Sequence, residues 1–308
     1  MPILGIIASS QFVEKAAGYF ADYYTTNQAM KKLNYTNETY SSISQNASFG
    51  DYGNASNSPT ACYKFGTGGS TSSAGPGNQT FKFTFAGESL SVLGSGSNTY
   101  SCFNPGGTTN NGTCAYIVGG MTTATTSGLS TTNKMPYSND TTSSLGTTLS
   151  AARGGIGGVY NANTAGYFAG GTSDNGPTLF NTINKMTFST DTMSTLGATL
   201  SQNVAYNPTS HSTYASTSGF FWGGYNQSPD SDVIARLTFS SETRDNPATL
   251  ASPSRANGTV SKDTTAAYFN PGTGATTTTQ KLVYSSTTRT TLAITSGTTV
   301  SQGLSNQG

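Results

Sequence analysis

Hydrophobic and polar positions alternate with a period of two through much of the chain. The segment 165–200, AGYFAGGTSDNGPTLFNTINKMTFSTDTMSTLGATL, shows the pattern clearly. Gly166–Gly171 is apolar and ends in a Gly-Gly pair. In Thr182–Ser189, Ile183, Lys185, Thr187 and Ser189 alternate with Asn184, Met186 and Phe188. Met193–Leu200 carries Leu196 and Leu200. Alternation bounded by Gly, Asn, Asp and Ser predicts three strands and two turns, not a helix.

The pattern recurs. A first aromatic stands at Tyr19, Tyr63, Tyr116, Tyr167, Phe220 and Tyr268, and a basic-apolar-aromatic strand ends at Tyr35, Phe85, Tyr137, Phe188, Phe239 and Tyr284. The second set repeats every 45 to 52 residues, and TTNKMPYSNDTTSSLGTTLS at 131–150 nearly matches TINKMTFSTDTMSTLGATLS at 182–201. A multi-strand repeat of about 50 residues is the pattern of a β-propeller blade. Shorter segments between copies, such as GGIGGVYN and GTVSKDTT, each supply one more strand. An inner strand stands about eight residues before the first aromatic: Val159 precedes Tyr167 and Val260 precedes Tyr268. The expected fold is therefore all-β, a six-bladed β-propeller with four-stranded antiparallel blades. Each blade runs inner strand, aromatic Gly-Gly strand, basic-apolar-aromatic strand, then outer Leu-containing strand. The C-terminal TTVSQG at 298–303 echoes GTVSKD at 258–263, so the tail is a possible ring-closing strand for blade one. Closure there removes an open sheet edge. The expected organisation is an N-terminal anchoring arm, 1–17, the propeller, 18–296, and the C-terminal tail, 297–308.

Composition narrows the function classes. Charged residues are 9% of the chain and the net charge is +1, which argues against a nucleic-acid partner, since that needs a basic stripe. With 17 Tyr and 15 Phe there is material for a core, unlike a disordered chain. No apolar run approaches the roughly 20 residues of a spanning helix, so no membrane insertion is expected. The start, MPILGIIASSQF, lacks the basic region of a secretory signal. Its Ile3, Leu4, Ile6 and Ile7 form an apolar cluster outside the repeat phase, the expected partner-binding anchor.

Little in the chain carries catalytic or metal chemistry. The one histidine, His211, lies in the polar segment NPTSHSTYAS and reads as a solvated side chain. The three cysteines, Cys62, Cys102 and Cys114, have no CxxC spacing, and an odd count excludes a complete disulfide framework. Cys102 and Cys114 face each other across a turn, or all three are buried thiols. GGIGG at 154–158 and GTGGSTSSAG at 66–75 lack the GK[ST] ending of a phosphate loop and read as tight turns near a crowded axis. Asp140 and Asp191 share a repeat position, which predicts an Asx turn role. Lys134, Lys185, Arg236 and Lys281 recur on the central strand, with Lys32 and Lys82 in phase. They predict aliphatic stems packed over aromatics, or else a ring of cations. Asn-x-Ser/Thr triplets at Asn34, Asn78, Asn111, Asn226 and Asn257 follow from the composition. No catalytic, metal-binding or cofactor-binding residue is assigned; the expected cofactors are none.

The Gly-Gly pairs Gly119-Gly120, Gly170-Gly171 and Gly223-Gly224, the aromatic in the following strand, and the arginines after Ser150 (Arg153) and Ser254 (Arg255) resemble kelch repeats. The resemblance is good over 110–290. It departs from the kelch pattern in having Leu145, Leu196 and Leu250 near the place of the usual tryptophan, with Trp222 in another strand. MPILGIIASS and the repeats of the form NKMTFSTDTMSTLGATLS are similar to bacteriophage virion proteins, particularly marine, cyanophage-type tail or fibre-associated ones. What that resemblance implies is a non-enzymatic structural or adhesive protein of the virion, present in many copies. It would dock on other virion structural proteins by its N-terminus and present the propeller to a host cell-surface glycan or protein. The alternatives are a capsid decoration protein, or a glycan-binding or depolymerising enzyme of the tailspike kind.

Overall fold

The computed structural model describes residues 17–22, 28–47, 54–67, 79–93, 107–122, 127–161, 164–174, 178–205, 213–227, 230–251, 259–262, 264–270, 278–295 and 300–304. These residues are all-β, in six four-stranded antiparallel sheets. Sheet one holds β1 (Ala17–Asp22), β2 (Gln28–Asn34) and β3 (Thr39–Ala47). Sheet two holds β4 (Asn54–Asn57), β5 (Ala61–Thr67), β6 (Gln79–Thr84) and β7 (Ser89–Leu93). Sheet three holds β8 (Thr108–Asn110), β9 (Cys114–Val118), β10 (Thr131–Pro136) and β11 (Ser143–Thr148). Sheet four holds β12 (Gly157–Asn161), β13 (Ala165–Ala169), β14 (Thr182–Thr187) and β15 (Thr192–Thr199). Sheet five holds β16 (Thr213–Ala215), β17 (Ser218–Gly224), β18 (Ser231–Thr238) and β19 (Thr243–Thr249). Sheet six holds β20 (Thr259–Lys262), β21 (Ala266–Asn270), β22 (Thr278–Val283) and β23 (Thr288–Thr295). The last strand, β24 (Val300–Leu304), pairs antiparallel with β1 and so completes sheet one from the other end of the chain.

The strand boundaries correct the sequence reading in detail. Gly170 and Gly171 stand beyond β13, with φ of 71° and 108°, a region open to glycine and closed to most side chains. A Cβ at Gly171 would lie 2.8 Å from the Gly154 carbonyl oxygen. Phe188 and its counterparts begin the turn rather than end the strand. Leu145 and Leu196 lie on outer strands, whereas Leu250 aligns with Leu149 and Leu200, all three buried just beyond them. The three leucines near the usual kelch tryptophan therefore belong to two different repeat positions.

The first strands touch in one closed cycle, β4 to β8, β12, β16, β20, β24 and back to β4. Among the described residues apolar side chains do not gather in a single centre. Six separate clusters form, each shared by two neighbouring sheets. Met30 and Tyr19 meet Phe81 and Phe83 between sheets one and two. Leu33 and Tyr35 meet Ala266 and Tyr268 between sheets one and six. Period-two alternation explains this: each sheet has two faces, and each face is buried against a different neighbour.

Candidate functional site at the sheet seams

At every seam the two repeated aromatics meet. The first aromatic of one sheet stacks on the turn aromatic of the next: Tyr19 on Phe85, Tyr63 on Tyr137, Tyr116 on Phe188, Tyr167 on Phe239, Phe220 on Tyr284 and Tyr268 on Tyr35. Ring centroids are 4.9 to 5.8 Å apart. The last pair joins sheet six to sheet one.

The lysines follow from register. Tyr19 is the Cα partner of Lys32, Tyr63 of Lys82, Tyr116 of Lys134, Tyr167 of Lys185, Phe220 of Arg236 and Tyr268 of Lys281. Directly opposed residues share a face, so each cation is aimed at the next sheet beside its aromatic. The Nζ atoms of Lys32, Lys82, Lys134 and Lys281 sit 5.2 to 5.6 Å from the tyrosine ring centroids, close enough for cation–π attraction.

Each of five lysines ends on a carboxylate of the next sheet. The pairs are Lys32–Glu88 at 2.6 Å, Lys82–Asp140 at 2.6 Å, Lys134–Asp191 at 2.8 Å, Lys185–Glu242 at 2.5 Å and Lys281–Glu38 at 2.5 Å. The same carboxylates accept the tyrosine hydroxyls of Tyr19, Tyr63, Tyr116, Tyr167 and Tyr268. These acids stand last in four-residue turns, each with positive φ between 44° and 55°. Asp140 and Asp191 are thus in turns, as their recurrence implies, but their side chains reach across a seam instead of bonding the backbone two residues on. Asn139 does that, accepting from the Thr141 amide at 3.2 Å. The left-handed conformation at Asp140 turns its carboxylate away from the local backbone and toward Lys82.

Burial, and then the hydrogen bond to the carboxylate, raises Tyr63 and Tyr116 to about 12; burial, and then the negative charge of Glu242, pushes Tyr167 higher. Burial opposes the charge on Lys82 and Lys134, but hydrogen bonds to the carboxylate and the tyrosine outweigh it, and both are raised.

The fifth seam, from sheet five to sheet six, breaks the pattern in all three members. Phe220 lacks the hydroxyl, Thr287 stands in the acid's place with φ of 52°, and Arg236 folds onto Asp245 of its own sheet. A second aromatic pair lies there: Trp222 stacks on Phe269 at 5.5 Å, with Ile234, Leu250 and Leu282 around them.

Arg153, the arginine that follows β11, is fully buried. Its guanidinium donates to Thr182 Oγ1 and to Asn184 Oδ1 and lies over Phe180. Nε finds no acceptor among the described residues. Burial lowers Arg153 to about 10. One repeat on, Val204, Val233 and Ala235 replace Arg153, Thr182 and Asn184. They line a small pocket with Leu200, Gln202 and Phe221 that has room for about one water.

Cys62 and Cys114 are buried and neither is in a disulfide; Cys102, Arg255, His211 and the cluster Ile3, Leu4, Ile6 and Ile7 lie outside the described residues. Among the described residues no group of three or more His, Cys, Asp or Glu side chains is placed to hold a metal ion. Lys64, at a position held by Phe168, Phe221 and Phe269 in other sheets, is buried. Compared with known proteins, the chain matches no family model and no curated protein.

Proposed function

We propose that the chain is a six-bladed, kelch-like β-propeller that serves as a non-enzymatic structural or adhesive protein of a phage particle, associated with the tail or its fibres. The observation that carries the fold reading is the return of the seam pattern on itself. Lys281 and Tyr268 of sheet six reach Glu38 and Tyr35 of sheet one, as the lysines and tyrosines of sheets one to four reach their successors. Six sheets meeting in a closed order around their first strands is propeller topology.

A scaffold role fits the use made of the charged side chains. The recurrent lysines and acids are spent on holding sheets together, half-buried, with their groups facing one another. The virion assignment rests on the likeness of the N-terminal segment and the repeats to phage tail proteins. In this reading Ile3, Leu4, Ile6 and Ile7 insert into a neighbouring virion subunit, as an added strand or in a groove. Other virion proteins and a host-surface glycan or protein are the partners. The test is electron microscopy of purified particles with a gold-labelled antibody to this chain. Label on the tail or fibres is the expected result. Label on the head would assign the protein to the capsid surface, and unlabelled particles would remove it from the virion.

A further inference from the structure

We propose that the rim of the seam between sheets five and six is a docking site for an acidic side chain of a partner protein. The chain itself supplies the pattern. At five seams a carboxylate presented on a tight turn occupies the place beside the cation of the preceding sheet. At the seam from sheet five to sheet six, Thr287 leaves that place without a carboxylate.

Two guanidinium groups also face this seam. Arg289 occupies the repeat position of Tyr40, Leu90, Met193 and Arg244. All four turn toward the preceding sheet: Tyr40 bonds Thr279, Leu90 and Met193 pack in the preceding seams, and Arg244 donates to the Thr199 carbonyl. Leu292 and Ile294, of the opposite parity, pack toward sheet one. Arg289 therefore faces sheet five, where Arg236 faces sheet six. Arg236 is paired with Asp245 of its own sheet, whose side chain is 49% exposed, and Arg289 donates to Thr291 Oγ1 of its own strand. At the other five seams a turn acid stands beside the cation, including the one where Arg244 adds a second positive charge. This seam has an excess of one positive charge, and a guanidinium fork suits a carboxylate.

Thr287 adds a second sign. A β-branched residue at φ of 52° is strained, in a turn position where the other five sheets place Asp or Glu. The incoming carboxylate takes the place of the missing sixth acid, and Arg236 turns from Asp245 to meet it, with Arg289 as second donor.

The test uses the full chain and a fluorescein-labelled hexaglutamate peptide, followed by anisotropy at low salt. The expected result is saturable binding, weakened at least tenfold by Arg236→Ala or Arg289→Ala and abolished by Thr287→Glu, which fills the place from within. Lys31→Ala, on an exposed strand elsewhere, should leave binding unchanged. Trp222 fluorescence checks that each variant keeps the seam. Arg289→Gln replaces any alanine variant that fails this check. No binding, or binding that survives Thr287→Glu, overturns the proposal. So does preferential binding of oligogalacturonate over the peptide with the same arginine dependence, which would make the ligand an acidic glycan.

Discussion

The residues that recur in this sequence recur because each makes the same two-sheet contact. The magnitudes rank the parts. A stacked aromatic pair is worth about 0.5–1.5 kcal/mol beyond its buried area, whereas a partly exposed ion pair contributes about 0–1 kcal/mol. The aromatics thus supply most of the seam energy, and the Tyr–Lys–acid group fixes which face meets which. A double-mutant cycle on Lys82 and Asp140 should give a coupling of about 1 kcal/mol in urea unfolding; a coupling indistinguishable from zero would show that the 2.6 Å pair does not act as a pair. The tyrosines set a pH dependence. With Tyr63 and Tyr116 raised from 10 to about 12, the folded protein keeps protons that the unfolded chain releases in that window. Their contribution is complete below pH 10 and is lost as pH rises toward 12. The raised lysines act in the same direction. Urea midpoints should fall between pH 9.5 and pH 11.5, about the two ends of this window, and the fall should shrink in the Tyr63→Phe, Tyr116→Phe variant. An equal fall in that variant would place the effect elsewhere.

At the scale of the element, the arginine after β11 offers a comparison made by the chain itself. Sheet four seats Arg153 on Thr182 and Asn184, while sheet five has Val204 with Val233 and Ala235. Arg153→Val alone strips buried polar partners and should cost about 2–4 kcal/mol. The triple change Arg153→Val, Thr182→Val, Asn184→Ala copies sheet five and should recover most of that loss. A triple variant no more stable than the single one would mean that the two sheets are not interchangeable. The C-terminal strand is the other element at issue. Removing 297–308 takes β24 from β1 and bares a strand edge, so the truncated chain should aggregate or fail to fold; a soluble product melting like the parent would show that sheet one stands on three strands.

Strand types and order within a sheet were legible, because alternation and glycine pairs act locally. Strand ends were less so: Phe188 keeps the alternation yet lies in the turn. The seam acids were legible only in part. Asp140 and Asp191 stand out in the two most alike repeats, but Glu38, Glu88 and Glu242 differ in residue type and Thr287 breaks the set. The signal that joins them is a constant offset, three residues after the turn aromatic in all six repeats. Their partners could not be read, because pairing across a seam joins residues 56 to 243 positions apart.

For the whole molecule, the N-terminal cluster and the cyclic order of sheets are separate claims. Replacing Ile3, Leu4, Ile6 and Ile7 with Ser should leave thermal stability nearly unchanged and abolish incorporation into particles. Unfolding of that variant would assign the cluster to the core, and normal incorporation would place the anchor elsewhere. The central claim is that sheet six closes on sheet one, and charge exchange across that seam tests it most directly. Lys281 and Glu38 are 243 positions apart in sequence and 2.5 Å apart in space. Lys281→Glu and Glu38→Lys should each lower stability by about 1–2 kcal/mol in chemical denaturation, by setting like charges together. The double exchange should restore most of the loss. If the two losses simply add, the residues do not meet, and the ring is not closed at this seam.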